Sequence, residues 1–313
     1  MAEHLQIGAL FDVKGRCVAV TGGASGIGLM ISRGCVANSC SVILIDVNEE
    51  ALSKAKLELK KIISSSSPNP AQVQTIHGDL STEGGVQAVV ENVKSKVQCL
   101  DTLIHCAAIR YMNNTVYKPG ETLEQLESAT LSAPYSGWEH TMRLNVLAPY
   151  FLTAGLITLL GKAAAKGREE EASFYSVAPQ AYTTISLFHA TRRRKRQLIT
   201  WYVSWRWNSP TFTVSKEYRD LQNGNFEQRL NAPLVRVNGM SPGIVPSGMT
   251  TSDSNSNIHL VNETPAKRAG TEEDMVSCAL WLMSKAGEFM DGKIIRIEGG
   301  RLLVLKGVAS NSD

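Results

Sequence analysis

Three glycines and one acid set the chemistry that this chain can offer. Gly22, Gly26 and Gly28 stand in the run Thr21-Gly22-Gly23-Ala24-Ser25-Gly26-Ile27-Gly28. An apolar, β-branched stretch, Val18-Ala19-Val20, precedes them, and Leu29-Met30-Ile31 opens a helical pattern after them. Strand, glycine turn and helix together make a phosphate site. Gly22 lets the chain leave the strand sharply, Gly26 removes a side chain where backbone must approach an anion, and Gly28 lets the helix pack closely. The N–H groups and positive dipole end of that helix then face the anion. Asp46 ends a second apolar run, Ser41-Val42-Ile43-Leu44-Ile45. It follows the glycines by about 20 residues, the spacing at which a carboxylate meets an adenosine ribose 2′-OH. A carboxylate there repels a 2′-phosphate, and no Lys or Arg stands in Gly23-Ala24-Ser25 to attract one. The expected cofactor is therefore NAD, with NADP less favoured.

The elements that must hold these residues alternate. The spacing predicts a helix over 26–37 and a strand over 41–46. A helix capped by Asn48 follows, with Ala51, Leu52, Ala55, Leu59 and Ile62 at helical intervals. A strand over 73–77 ends at Gly78-Asp79-Leu80. Ser81 is expected to cap a helix carrying Val86, Val89, Val90 and Val93, and a strand covers 100–104. Strand and helix alternate four times, which predicts an α/β fold: one doubly wound parallel sheet of about seven strands, a single domain over 1–313. Residues 110–138 are longer than a crossover needs and are expected to border a substrate mouth, with a short helix near Leu123-Leu126. A long apolar helix is expected over 138–160, and near the end Thr271 caps a helix with Val276, Leu280, Trp281 and Met283 inward.

Composition narrows the function classes. The chain has 313 residues, 43% of them hydrophobic, and a net charge of +3, too small to imply nucleic acid. Six cysteines show no C-x-x-C pair, so reduced, mostly buried thiols are expected, and no metal. No stretch is read as long enough to span a bilayer, and neither end reads as a targeting signal, so a soluble cytoplasmic protein is the default.

Ordered motifs give a family. Phe11-Asp12-Val13-Lys14-Gly15, Thr21-Gly22-x-x-x-Gly26-x-Gly28, Asp46, Gly78-Asp79-Leu80 and Asn145 come first. Val235-Arg236-Val237-Asn238-Gly239-Met240-Ser241-Pro242-Gly243 and Asp291-Gly292-Lys293 through Glu298-Gly299-Gly300 follow. In this order they resemble the short-chain dehydrogenase/reductase family, above all its fungal members, over 10–160 and 234–305. The resemblance implies that Gly22, Ser25, Gly26, Ile27 and Gly28 hold the dinucleotide. It places Asp79 and Leu80 at the adenine, Ala107 at the ribose, Pro242-Gly243-Ile244 along the nicotinamide and Ser247 near the pyrophosphate. Asn145 would support catalysis. The family's Asn-Asn-Ala-Gly is replaced by His105-Cys106-Ala107-Ala108, and a thiol cannot supply an amide's hydrogen bonds. That puts the sheet's stabilisation there in question. His105 reads as a packed substitute rather than a catalytic base.

The family's chemistry needs a Ser, and a Tyr four residues before a Lys, around one nicotinamide. No Tyr-x-x-x-Lys occurs in the chain; Tyr182, Tyr202 and Tyr218 are followed at that distance by Ser186, Arg206 and Gln222. Residues 173–233 also read as aberrant and irregular, with a basic run, Arg192-Arg193-Arg194-Lys195-Arg196, and Trp201, Trp205 and Trp207 close together. The run reads as exposed chain rather than a nucleic-acid patch. Residues 173 to about 210 are compatible with translation out of frame. With permitted third bases, positions 190–197 read one frame over as Tyr-Gln-Ala-Thr-Lys-Ala-Ala, the missing motif. In the same way Ser176-Val177-Ala178 reads Ser-Ser, so Ser176 marks the place of the family's serine. Trp205 to Ser209 reads Leu-Ala-Leu-Glu-Leu. Codons for Thr213-Val214-Ser215 can hold GTAAGT, and a retained intron over about 213–233 would let the frame recover. The expected function is NAD(P)-dependent interconversion of a secondary alcohol and a carbonyl by hydride transfer. The alternative is a catalytically dead nucleotide-binding or interaction protein. Partners are a small carbonyl or alcohol and a possible second copy in a homo-oligomer, with no nucleic acid and no membrane.

Overall fold

Strands whose residues are buried on both faces build the centre of the molecule. The computed structural model describes residues 2–63, 70–109, 122–132, 134–165, 172–177, 189–191, 202–206, 209–213, 234–247 and 257–304. A short helix, α1 (Ile7–Leu10), leads into β1 (Cys17–Thr21). Successive side chains of β1 point to opposite faces. Val18 and Val20 join one apolar cluster, with Ile31, Leu52 and Leu282, while Ala19 joins the other, with Val89, Leu103 and Leu156. β2 (Ser41–Asp46) does the same, with Val42 and Leu44 on one side and Ile43 and Ile45 on the other. A parallel sheet needs this double cover.

β3 (Val73–His77), β4 (Thr102–His105), β5 (Ala172–Val177), β9 (Leu234–Pro242) and β10 (Ile294–Ile297) complete a parallel sheet in the order β3-β2-β1-β4-β5-β9-β10. The seven parallel strands are joined by β6 (His189–Thr191), antiparallel to both β5 and β9. β7 (Tyr202–Arg206) and β8 (Ser209–Thr213) form a separate antiparallel pair. Within 173–233, expected to be irregular, the described residues are strands; the remainder, including the whole basic run, lies outside the described residues, as does the 110–121 loop.

α2 (Gly26–Ala37), α3 (Glu49–Ile62) and α8 (Glu272–Met283) contribute to the first cluster, and α4 (Glu83–Lys96) and α7 (Ala148–Ala165) to the second. Each fully buried Leu in these layers contributes about 1.5–3 kcal/mol. Close approaches fix the helix packing. A Cβ on Gly34 of α2 would stand 2.3 Å from Val276 of α8, and one on Gly155 of α7 would stand 2.6 Å from Val90 of α4. The result is one doubly wound α/β domain.

Several expectations shift. The cap of α4 is Thr82, whose hydroxyl accepts from the Gly85 N–H at 3.1 Å; Ser81 instead donates its own N–H to Asp79. On α8 the buried face is Met275, Ala279, Leu282 and Met283, with Val276, Leu280 and Trp281 at its margin. The helix expected over 138–160 is two helices, α6 (Tyr135–Met142) and α7, joined by a π-helical turn over Arg143–Leu147; α5 (Leu123–Leu131) precedes them. The continuous helical run Tyr135–Ala163 is long and apolar enough to cross a membrane, which corrects the reading that no stretch reaches that length. Part of that apolarity is spent inside: Leu152, Leu156 and Leu160 pack under the sheet beside α4. A short α9 (Arg301–Val304) follows β10.

Candidate functional site

The C-terminal ends of β1, β2, β3 and β4 converge on one cleft of about 300 Å³. β1 ends at Thr21 and the chain turns at Gly22, with φ +62°. Gly26, with φ +51°, opens α2. Both angles are ones that side-chain-bearing residues rarely adopt. The turn is also tightly packed. A Cβ on Gly28 would stand 2.2 Å from the Gly22 carbonyl oxygen, and one on Gly22 would stand 2.8 Å from the Ala107 nitrogen.

The start of α2 differs from the starts of its neighbours. Asn48 caps α3, Thr82 caps α4 and Thr271 caps α8, each through a side-chain oxygen, whereas Ser25 makes no such bond at α2. A helix end without a cap presents first-turn N–H donors and a positive dipole. Here that end lies in the cleft, among Ser25, Gly26, Ile27 and Gly28. The donors fit a pyrophosphate, and the missing Cβ atoms leave the backbone bare for it.

Asp46 stands across the cleft. Its Oδ2 accepts from the Ala24 N–H at 3.2 Å and its Oδ1 from the Asn48 N–H at 3.1 Å, so the carboxylate is anchored to both the glycine turn and the start of α3. Beyond it lie Gly78, Asp79 and Leu80. The Ser81 hydroxyl and N–H hold the Asp79 carboxyl below its ordinary range. No Lys or Arg lines the cleft among the described residues. This donor set fits a dinucleotide whose adenosine ribose carries free hydroxyls.

The exit of β4 forms the opposite wall. The Thr21 Oγ1 accepts from the N–H groups of Cys106 at 3.2 Å and Ala107 at 3.1 Å. Thr21 thus holds the Cys106–Ala107 segment by its backbone. Cys106 lines the cleft, and burial pushes its thiol well above the ordinary range. His105 is buried, and its Nε2 lies 3.1 Å from the Thr153 Oγ1. The Thr153 hydroxyl itself donates to the Pro149 carbonyl, so it accepts from His105. Burial holds the imidazole well below its ordinary pKa, as a neutral, packed group.

Asn145 sits in the π turn, a feature often found at functional sites. Its Oδ1 accepts from the Ile109 N–H at 3.0 Å and its Nδ2 donates to the Ile109 carbonyl at 2.8 Å. It thereby pins the cleft wall while its neighbour Leu144 lines the cleft directly. Pro149, four residues on, has no N–H to offer the Asn145 carbonyl. Ser176 pairs in register with His105 and so lies at the same end of the sheet; its side chain is outside the described residues.

Ten of the expected cofactor residues thus line one cleft: Gly22, Ser25, Gly26, Ile27, Gly28, Asp46, Asp79, Leu80, Ala107 and Ser247. Pro242, Gly243 and Ile244 do not. Pro242 ends β9, and Gly243 and Ile244 border a second cavity of about 70 Å³ with Arg268, Asp274 and Glu298. The residues that sequence reasoning missed are Thr21 as an anchor and Ile45, Val47, Gly78, Cys106, Ala108, Ile109 and Leu144 as lining. Only Thr21 gave a signal, a hydroxyl at a strand end beside glycines. Among the described residues no His, Cys, Asp or Glu group could hold a metal, and no disulfide joins the six cysteines.

Comparison with known proteins agrees with this fold. A family model described as short chain dehydrogenase matches residues 16–168, and one described as enoyl-(acyl carrier protein) reductase matches 229–301. The chain belongs to the short-chain dehydrogenase/reductase family. Similar curated proteins include the short-chain dehydrogenase/reductase PhomF of Diaporthe leptostromiformis, 28% identical with 94% of each chain covered. The rhamnolipids biosynthesis 3-oxoacyl-[acyl-carrier-protein] reductase of Pseudomonas aeruginosa is 27% identical, covering 93% of this chain and 97% of that one. Among solved structures, the Pseudomonas aeruginosa RhlG/NADP active-site complex superimposes with a TM-score of 0.64 at 24% identity, over 93% of this chain and 98% of that one. Residues 169–228 fall in neither family match.

Proposed function

We propose that this family member binds NAD in preference to NADP and interconverts a secondary alcohol and a carbonyl. The observation that carries the reading is the uncapped start of α2 facing the Asp46 carboxylate across a cleft that no Lys or Arg lines among the described residues. NAD, when bound, supplies the hydride acceptor. The chain's own contribution is to hold it: the α2 N–H donors take the diphosphate, Asp46 accepts from the ribose hydroxyls, and Asp79 and Leu80 border the adenine. Asn145 fixes the wall beside the reacting end, and Ser176 stands at the matching height on β5. The Asp46→Ala variant should weaken NADH binding about tenfold, one lost charge-assisted contact pair, with far less effect on NADPH. Equal losses for the two would contradict the ribose assignment.

The absent Tyr-x-x-x-Lys supports a second reading, a nucleotide-binding protein without turnover. Fluorescence titration with NADH and a panel of carbonyls separates the two: binding without turnover supports the second, and turnover refutes it. The out-of-frame reading of 173 to about 210 reconciles them, and the gap between the two family matches falls on the same stretch. Transcript sequencing decides it. Third bases that cannot yield Tyr-x-x-x-Lys one frame over would end the idea. We also infer a homo-oligomer, supported by the exposed Leu147, Tyr150, Phe151 and Ile157 on one side of the long helix, and testable by sedimentation.

A further inference from the structure

His77 belongs to no part of the reading above. It is exposed at the end of β3, paired in register with Asp46, and does not line the cleft. Its Nε2 nevertheless lies 3.0 Å from the Val47 carbonyl oxygen. A carbonyl only accepts, so Nε2 carries the hydrogen and does so in both protonation states of the ring.

That carbonyl shares one peptide plane with the Asn48 N–H, and the Asn48 N–H is the donor to the Asp46 Oδ1 at 3.1 Å. The Val47–Asn48 peptide is therefore held on both edges. His77 grips its oxygen, and its N–H is thereby aimed at the carboxylate. Rotation of this peptide would remove one of the two backbone donors to the Asp46 carboxylate, leaving the Ala24 N–H at 3.2 Å. The backbone on either side is already tied. The Gly78 N–H donates to the Asp46 carbonyl at 3.1 Å, and the Asn48 side chain accepts from the Ala51 N–H at 2.9 Å. The peptide between these ties is held by two bonds, from its N–H to Asp46 and from the imidazole to its carbonyl. Bonds in such a chain polarise one another, so the far donor bears on the carboxylate.

We propose that His77 is a positioning residue that sets the preference of the cleft for a free ribose 2′-OH over a 2′-phosphate, acting through the Val47–Asn48 peptide on Asp46. The proposal rests on the dinucleotide reading of the preceding subsection. A well-oriented Asp46 carboxylate both accepts from ribose hydroxyls and repels a phosphate. Loosening it weakens the first effect and relieves the second, so the two cofactors should respond differently.

The test is fluorescence titration of the full chain with NADH and with NADPH. H77A should bind NADH about threefold to tenfold more weakly, the equivalent of one lost hydrogen bond, with NADPH unchanged or tighter. H77Q, which keeps an N–H at similar reach, should restore NADH binding to within about twofold of the parent. In a D46A background H77A should change NADH affinity by less than about twofold, because the group it acts through is gone. His77 is exposed, so the melting temperature should move by no more than about 2 °C. Equal losses for both cofactors in H77A, or no loss for NADH, would overturn the proposal. A parent chain that binds neither cofactor would instead sink the dinucleotide reading and this proposal with it, and that result is distinct because it needs no variant.

Discussion

The first four strands and the last two are held by different physics. In β1 and β2 the core positions are apolar apart from Thr21 at the end of β1: Val18, Ala19, Val20, Val42, Ile43, Leu44 and Ile45 are all at most 1% exposed. β9 carries charge and amide inside. Arg236 is 1% exposed and donates through Nη1 to the Gly287 and Met290 carbonyls, at 2.6 and 2.7 Å, and through Nη2 to the Leu282 carbonyl at 2.8 Å. Asn238 donates to the Met290 carbonyl and accepts from the Lys293 N–H, and Asp291 accepts from the Val237 N–H. These bonds satisfy carbonyls at the end of α8 and in the turn before β10. The difference teaches where each region spends its polar groups. Around the glycine turn, interior packing is apolar and polar groups such as the α2 N–H donors and Asp46 are turned toward the cleft. Around β9, polar side chains are turned inward to order a loop.

The largest expected effects come from exchanging these strategies. Leu44→Ala should cost about 2–5 kcal/mol through lost burial and a residual cavity. Arg236→Met should cost about 3 kcal/mol, because it fills the volume but removes the donor to the Leu282 carbonyl and one of two donors to each of the Gly287 and Met290 carbonyls. Urea unfolding measures both. If Arg236→Met costs less than about 1 kcal/mol, the polar network does not hold the second region and the comparison fails.

A buried imidazole stands in the first region beside the buried Thr21 and Thr102 hydroxyls, and it gives the comparison a pH axis. His105 is kept neutral by burial, so the folded chain binds a proton less readily than the unfolded chain does. Where the unfolded imidazole protonates and the folded one does not, the unfolded state holds more protons, and stability rises with pH. The penalty is absent above the ordinary imidazole range and grows as pH falls through about 6.5, by up to about 1.4 kcal/mol per pH unit. His105→Asn should remove that slope between about pH 5 and 6.5, above the range where carboxylates titrate. An unchanged slope in the variant would mean that other groups produce it.

Legibility followed the same division. β2, β3 and α2 were readable to the residue, because an apolar run between turn residues has few other uses, and Asn48 was readable as a cap because its partner is three residues away. Most of the cofactor cleft was readable for a related reason: glycines and an acid at a set spacing are local signals. Nothing local marks what Arg236 does, since its acceptors lie 46 to 54 positions along the chain. The π turn was hidden because Arg143–Leu147 has ordinary helical composition and only the bond pattern differs. Ser81 and Thr82 are adjacent hydroxyls of equal capping ability, and the Asp79 carboxylate decides between them by taking the Ser81 N–H. His77 gave no signal at all, because its acceptor belongs to another strand's loop.

The smallest expected effect concerns the two threonine caps, one in each region. Thr82 accepts from the Gly85 N–H at 3.1 Å, and its hydroxyl donates to the Asp79 carbonyl at 3.2 Å. The Thr82 N–H goes to the Asp79 backbone carbonyl rather than to an acidic side chain. Thr271 is backed more heavily. Its hydroxyl accepts from the Asp274 N–H only at 3.4 Å, but the Asp274 carboxylate takes the Thr271 N–H at 2.8 Å and is gripped by both Nη atoms of Arg268. Removing the Thr271 hydroxyl leaves this acid in place at the helix start, where a negative charge favours the dipole. Thr82→Ala should therefore cost about 1 kcal/mol, the usual loss for a cap, and Thr271→Ala only about 0.5 kcal/mol. Thermal or urea unfolding of the two variants side by side gives the difference. If Thr271→Ala costs more than Thr82→Ala, Asp274 does not back up the cap.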